Sequence, residues 1–205
     1  MTASPGRPDH VDLAFRGTPP WDIGRPQPAL LDLAGSGALT GRVLDVGCGT
    51  GEHTLMAAAL GLDVTGVDMA DAALRAAKAK ARERALRARF LHCDVQALTD
   101  LGEVFDTVLD SLVFHALDDD VRTVYLAGLR AVLRPGGRLF LLGYSDRQPD
   151  HVRVPHGLTR EQITDHFADG WRIDSFDEVL SIANPYPDGV AAWLVGLTRV
   201  PQSSS

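Results

Sequence analysis

Arg42-Val43-Leu44-Asp45-Val46-Gly47-Cys48-Gly49-Thr50-Gly51 is the stretch of this chain whose residue types and spacing can do chemistry. Val43, Leu44 and Val46 supply the short apolar run of a strand buried on both faces. Gly47, Gly49 and Gly51, with Cys48 between the first two, let the backbone turn tightly and approach a ligand more closely than a Cβ would allow. Glu52 to Leu60 has helical composition, so a ligand in the turn would face backbone N–H groups at a helix N-terminus. Asp45 adds a carboxylate at the end of the strand.

A dinucleotide fingerprint needs G-x-G-x-x-G, but its third glycine would fall at Glu52; the spacing here is G-x-G-x-G. The Asp45 carboxylate repels a pyrophosphate and suits a cation. S-adenosylmethionine, with an ammonium, a sulfonium and no phosphate, fits these residues better than a nicotinamide dinucleotide. Leu62-Asp63-Val64-Thr65-Gly66-Val67-Asp68 reads as the second strand. Asp68 lies 21 residues after Gly47, where a carboxylate at the crevice of a doubly wound sheet can take both ribose hydroxyls. Met69 follows and can pack on an adenine face.

Val43 to Gly51 resembles the first motif of class I S-adenosylmethionine-dependent methyltransferases, and the resemblance extends from about Pro19 to Val200. It implies an α/β fold: a Rossmann-like, seven-stranded, mostly parallel sheet in the order 3-2-1-4-5-7-6, its last strand antiparallel, with helices on both faces. It implies S-adenosyl-L-methionine as cofactor. By the same resemblance Asp94 stands where an acidic residue accepts from the adenine amino group, with the Val95 N–H nearby. Trp21-Asp22-Ile23-Gly24 resembles the Trp-Asp-x-Gly arm of thiol and thiopurine methyltransferases, and more closely that of bacterial heterocyclic-toxin (hydroxyquinolone) methyltransferases. In such relatives the arm helps close the pocket, so Trp21 is expected over the sulfonium or adenosine region. The chain then divides into an arm, 1–28, a methyltransferase domain, 29–200, and a disordered tail, 201–205.

These residues need elements to hold them. Pro26 and Pro28 suit the first turn of a helix to Ala34. Asp71 to Ala88 is alanine-rich and helical by propensity, with Arg75, Lys78 and Arg82 on a solvated face. Phe90 to Val95 forms the third strand and its exit, and Phe105 to Asp110 the fourth. Asp110 and Ser111 are candidates for the pocket floor, Asp110 on the cofactor side. His115, just beyond, is the candidate proton acceptor, because its unperturbed pKa lies near neutrality. Asp118 to Leu133 is amphipathic and stops at the turn Arg134-Pro135-Gly136-Gly137 before a fifth strand, Arg138 to Leu142. The polar loop Gly143 to Gly157 is placed to line a substrate site. Thr159-Arg160-Glu161-Gln162 is a capping box for a helix to about Phe167. Trp171 to Leu180 and Ala191 to Val200 are strands joined by a turn-rich link, Ser181 to Gly189.

The totals narrow the function. With 205 residues the chain has room for one domain, and its net charge of −7 argues against an extended nucleic-acid surface. Cys48 and Cys93 form no C-x-x-C pair, which points to a reducing cytoplasm. No run reaches membrane-spanning length, and no acidic or histidine cluster has metal-ligand spacing. The expected activity is in-line methyl transfer to a small, partly apolar heteroaromatic hydroxyl, amine or thiol, by a monomer or homodimer. A small-thiol S-methyltransferase and a non-catalytic S-adenosylmethionine-binding module are the alternatives.

Overall fold

A computed structural model describes residues 17–154 and 156–201. The start of the expected arm, residues 1–16, and the end of the expected tail, 202–205, lie outside the described residues.

Seven strands form one sheet: β1 Arg42–Val46, β2 Asp63–Asp68, β3 Arg89–His92, β4 Phe105–Ser111, β5 Leu133–Tyr144, β6 Trp171–Ala183 and β7 Tyr186–Arg199. Their order is β3-β2-β1-β4-β5-β7-β6, as the sequence resemblance implies. β1 pairs in parallel with β2 and β4, β2 with β3, and β4 with β5. Only β7 runs antiparallel to its neighbours, β5 and β6. The helices are α1 Pro28–Gly35, α2 Glu52–Ala59, α3 Asp71–Glu83, α4 Asp119–Val132 and α5 Arg160–His166.

The pleat of β1 separates two cores. Leu44 and Val46 join Tyr125 and Leu129 of α4, with Val108, Leu141 and Val195 from neighbouring strands. Val43 faces the other way and joins Met56 and Ala57 of α2, with Val64, Leu109 and Phe140. Because successive strand residues point to opposite faces, a strand with apolar residues on both faces needs cover on both sides. The chain order strand–helix–strand supplies it and gathers the strand carboxyl ends at one rim.

Three boundaries differ from the sequence reading. α3 stops at Glu83, not Ala88: Ala85 enters the left-handed region at φ 52°, and the Leu86 N–H bonds back to the Ala81 carbonyl. Arg134 to Gly137 lies within β5, whose pairing with β4 jumps from Phe105–Leu133 to Thr107–Arg138; the turn residues form an irregularity in the ladder. β6 and β7 run far into the expected 181–189 link, with Ala183 paired to Tyr186. Only Asn184 and Pro185 remain between the strands.

The candidate functional site at the strand carboxyl ends

The glycine turn follows β1 directly. Gly47, Gly49 and Gly51 all have positive φ, at 62°, 53° and 88°. A Cβ on Gly47 would lie 2.4 Å from Val113 Cγ2, and one on Gly51 would lie 2.8 Å from Ala77 Cβ. Both positions therefore require glycine for space as well as backbone conformation. The Cys48 N–H bonds the Val67 carbonyl, tying the turn to β2. Its thiol packs among Leu55, Leu74 and Phe90 rather than facing the rim, and burial pushes the thiol well above its ordinary pKa.

Asp45 is completely buried. Its Oδ2 accepts a 2.5 Å hydrogen bond from Thr54 Oγ1 on α2, while Oδ1 has no hydrogen-bond partner among the described residues. Burial pushes its carboxyl up to about 7; Thr54 opposes this, and the Asp68 and Asp110 charges add to it. An ionised carboxylate held this way is costly unless a positive charge comes near. The orphaned oxygen and the glycine cradle together fit a cationic ligand without phosphate.

Asp68 ends β2 and accepts from the Gly49 and Ala70 N–H groups, both at 2.8 Å. Its carboxylate is thereby tied to the glycine turn, and burial still raises its pKa against these bonds. Met69 beside it is half-buried. Asp94 caps the 3-10 segment Val95–Leu101 by accepting from the Gln96 N–H at 2.9 Å. Asp94 and Val95 are both partly accessible at the end of β3. The rim thus gathers Gly47, Gly49, Gly51, Asp68, Met69, Asp94 and Val95, with Asp45 beneath.

The described part of the arm reaches this rim. Asp22 Oδ2 accepts from Thr50 Oγ1 at 2.9 Å, inside the glycine turn. Asn184 Nδ2 holds the Pro19 and Asp22 carbonyls. Gln27 is buried and pairs both ways with Ile182, while its N–H donates to His53 Nε2 at 3.0 Å. Trp21 is 45% exposed.

Asp110 sits differently from its expected cofactor-side role. It is completely buried; Oδ1 accepts from the Val113 and Phe114 N–H groups, and Oδ2 from Phe114 N–H and the Tyr125 hydroxyl. Its oxygens are committed to internal donors, so it shapes the backbone that carries His115. His115 is buried against Tyr144, ring centroids 4.7 Å apart. Its Nδ1 has no hydrogen-bond partner among the described residues. Burial, assisted by His156 and Arg122, lowers its pKa to about 3. It is therefore uncharged at neutral pH and a weak base. Tyr144, Val152 and Val190 form an adjoining apolar cluster with Leu112, Val154 and Tyr186.

Several residues here escaped the sequence reading. Thr54 is an ordinary helix residue by type, yet it supplies Asp45's side-chain partner. Gly66 faces Thr54 and Cys48: a Cβ there would lie 2.6 Å from Thr54 Oγ1 and 2.9 Å from Cys48 Sγ. Glu52 turns away from the rim and binds Lys80 and Arg84 of the α3 end. Burial raises the Glu52 pKa, but these two cations more than offset it. Lys80 also donates to Thr50 at 2.7 Å. Pairings between elements of this kind leave no periodic signal.

Comparison with known proteins follows the same outline. A family profile described as "Methyltransferase domain" matches residues 43–137. A 2-heptyl-1-hydroxyquinolin-4(1H)-one methyltransferase of Mycobacteroides abscessus is 31% identical over 168 residues, covering 81% of this chain and 74% of that protein. A probable thiol methyltransferase 2 of Arabidopsis thaliana is 31% identical, covering 62% of this chain and 57% of that protein. A structure solved in a study of the conversion of a disulfide bond into a thioacetal group during echinomycin biosynthesis is 37% identical, with a TM-score of 0.86; the match covers 96% of this chain and 94% of that one.

Proposed function

The chain belongs to the class I S-adenosylmethionine-dependent methyltransferases, and from that premise we propose that it methylates a small, partly apolar heteroaromatic molecule at a hydroxyl, amine or thiol. That it is a small-molecule methyltransferase follows from its relatives; the acceptor class is our reading. The observation that carries it is the apolar cluster of Leu112, Tyr144, Val152 and Val190 beside the buried His115. An apolar surface of this kind suits packing against a flat ring, and one polar group suffices to orient it.

S-adenosylmethionine, when bound, supplies an electrophilic methyl group on a good leaving group. In our reading the glycine turn makes room for it, Asp45 complements its positive charge, Asp68 takes the ribose hydroxyls, and Asp94 with the Val95 N–H meets the adenine. Met69 packs nearby, and the arm with Trp21 and Asp22 closes over the turn. The protein's task is then alignment, which contributes at most about 7–11 kcal/mol. His115 stands at the acceptor as a neutral group that orients the nucleophile. An acceptor that ionises readily needs no stronger base.

A thiol acceptor is the second reading, favoured by the thiol methyltransferase relative and by the sulfur chemistry named for the 37%-identical structure. A screen with radiolabelled methyl donor tests both readings. It should include 2-heptyl-1-hydroxyquinolin-4(1H)-one, related hydroxy-heteroaromatics, aromatic amines and aryl thiols. Label transfer to members of this panel is expected. Transfer only to aliphatic alcohols or to macromolecules would overturn the proposal.

A further inference from the structure

Arg122 is an arginine on α4 that is 6% exposed. Its Nε donates to the Phe114 carbonyl and its Nη2 to the His115 carbonyl, both at 3.1 Å. Its Nη1 donates to Asp119 Oδ1 at 2.8 Å, and its guanidinium carbon lies 5.1 Å from the Phe114 ring centroid. The two carbonyls belong to the short 3-10 turn Phe114–Ala116, which carries His115.

The other side of the same turn is also gripped. Asp110 takes the Val113 and Phe114 N–H groups and is itself held by the Tyr125 hydroxyl, from the helix that bears Arg122. Just before the turn, Leu112 occupies the left-handed region at φ 67°. A non-glycine residue stays there only where its surroundings over-determine the backbone. Burying a guanidinium for packing alone would be unfavourable, since an apolar side chain fills the space without losing hydration. What the planar fork adds is simultaneous bonding to two carbonyls and a carboxylate in fixed directions, which an ammonium cannot reproduce.

We propose that Arg122 is a positioning residue that acts through His115. By fixing the 114–116 turn from its carbonyl side, it holds the imidazole against Tyr144 and sets the direction in which the ring meets the acceptor. This rests on the reading of His115 as the acceptor-side group. Arg122 makes no hydrogen bond to Asp45, Asp68 or the glycine turn, so its direct effect falls on the acceptor half.

The test compares wild type, Arg122→Lys, Arg122→Gln, His115→Gln and the Arg122→Lys/His115→Gln pair. Nitrogen-15 NMR of histidine-labelled protein reads the His115 ring, assigned by its loss in His115→Gln. Calorimetry with S-adenosylhomocysteine reads the cofactor half. Turnover of 2-heptyl-1-hydroxyquinolin-4(1H)-one, or of the best acceptor from the screen, reads the acceptor half. Arg122→Lys is expected to shift or split the His115 ring signals while S-adenosylhomocysteine affinity stays within about twofold, and to lower acceptor kcat/KM at least about tenfold. Added to His115→Gln, it should cost less than about threefold more, because the two residues act as one unit. Unchanged ring signals, equal losses in cofactor affinity, or losses that multiply in the pair would overturn the proposal. If Arg122→Gln fails to fold, the Lys variant still decides. If no acceptor is methylated by wild type, or His115→Gln turns over normally, the functional reading fails instead, while the ring signals still test Arg122.

Discussion

Thr54 Oγ1 lies 2.5 Å from Asp45 Oδ2 across the β1–α2 interface, and it is the side-chain donor that this buried carboxylate receives. The bond makes Thr54, a residue with no evident chemistry, a determinant of the ionisation of the motif's central acid. Replacing Thr54 by Val keeps the shape and removes the donor. The buried carboxylate then loses its side-chain donor, and we expect a loss of roughly 1–3 kcal/mol in stability. Urea unfolding at about pH 8, where Asp45 is ionised, checks this. Because Thr54 lowers the Asp45 pKa, the loss should shrink on going to acid.

Gly47→Ala should impair cofactor binding through two causes. Its φ of 62° is unfavourable for a side chain, costing about 1–2 kcal/mol, and the new Cβ would meet Val113 Cγ2 at 2.4 Å. We expect S-adenosylhomocysteine affinity to fall at least about tenfold, equivalent to 1.4 kcal/mol. Val113→Ala in the same chain should recover the part due to the clash. Equal affinity in Gly47→Ala and wild type would show that the turn does not approach the ligand.

The glycine turn, the acids after β1, β2 and β3, and the strand order were legible in the sequence. The turn and the acids rest on local cues, namely an apolar run, a glycine spacing and an acid near a strand's end; the strand order comes from the family resemblance alone. The misses have different causes. The α3 end is marked by Ala85 in a left-handed turn, without Gly or Pro, so propensity carries the helix too far. The β6–β7 hairpin skips Pro187 to Gly189 as an irregularity and pairs again at Ala183–Tyr186, because the sheet supplies partners that sequence alone does not reveal. Asp110 is expected from the sequence at the pocket floor, on the cofactor side. Its oxygens instead serve the following turn, because Tyr125 and two backbone N–H groups converge on them. Arg122 was one charge among several on an amphipathic helix; only the fold shows that it is buried.

The arm should be loosened by Asp22→Ala, which removes the 2.9 Å contact with Thr50. One hydrogen bond to a charged group is worth about 1.5–3 kcal/mol at most, and less where it is partly exposed. Hydrogen exchange over residues 19–28 should quicken, and S-adenosylhomocysteine should dissociate faster, by about threefold to tenfold. Unchanged exchange and dissociation would show that the arm is held by the Gln27 and Asn184 contacts alone.

His53 should make the arm sensitive to acid. Its Nε2 accepts the Gln27 N–H, which requires an unprotonated nitrogen, and burial lowers its pKa to about 4. The unfolded chain therefore takes up a proton first. The stability linked to His53 is complete above about pH 6.5 and is lost as pH falls towards about 4. Thermal melts of wild type and His53→Gln across this window should converge on the acid side. A constant difference between the two would contradict the assignment.

Asp45 is the centre of the account: a buried carboxylate whose Oδ1 has no hydrogen-bond partner among the described residues, proposed to complement a cationic ligand. Burial pushes its pKa up to about 7, against Thr54 and with help from Asp68 and Asp110. A bound ammonium favours the ionised form, so affinity must weaken as the free protein takes up its proton. The most direct measurement is calorimetry of S-adenosylhomocysteine binding between about pH 5.5 and 8.5, in wild type and Asp45→Asn. We predict a wild-type Kd that rises below about pH 7 by up to tenfold per unit, and in Asp45→Asn a weaker Kd with that component missing. A wild-type profile that is flat, or reproduced at equal affinity by Asp45→Asn, would contradict it.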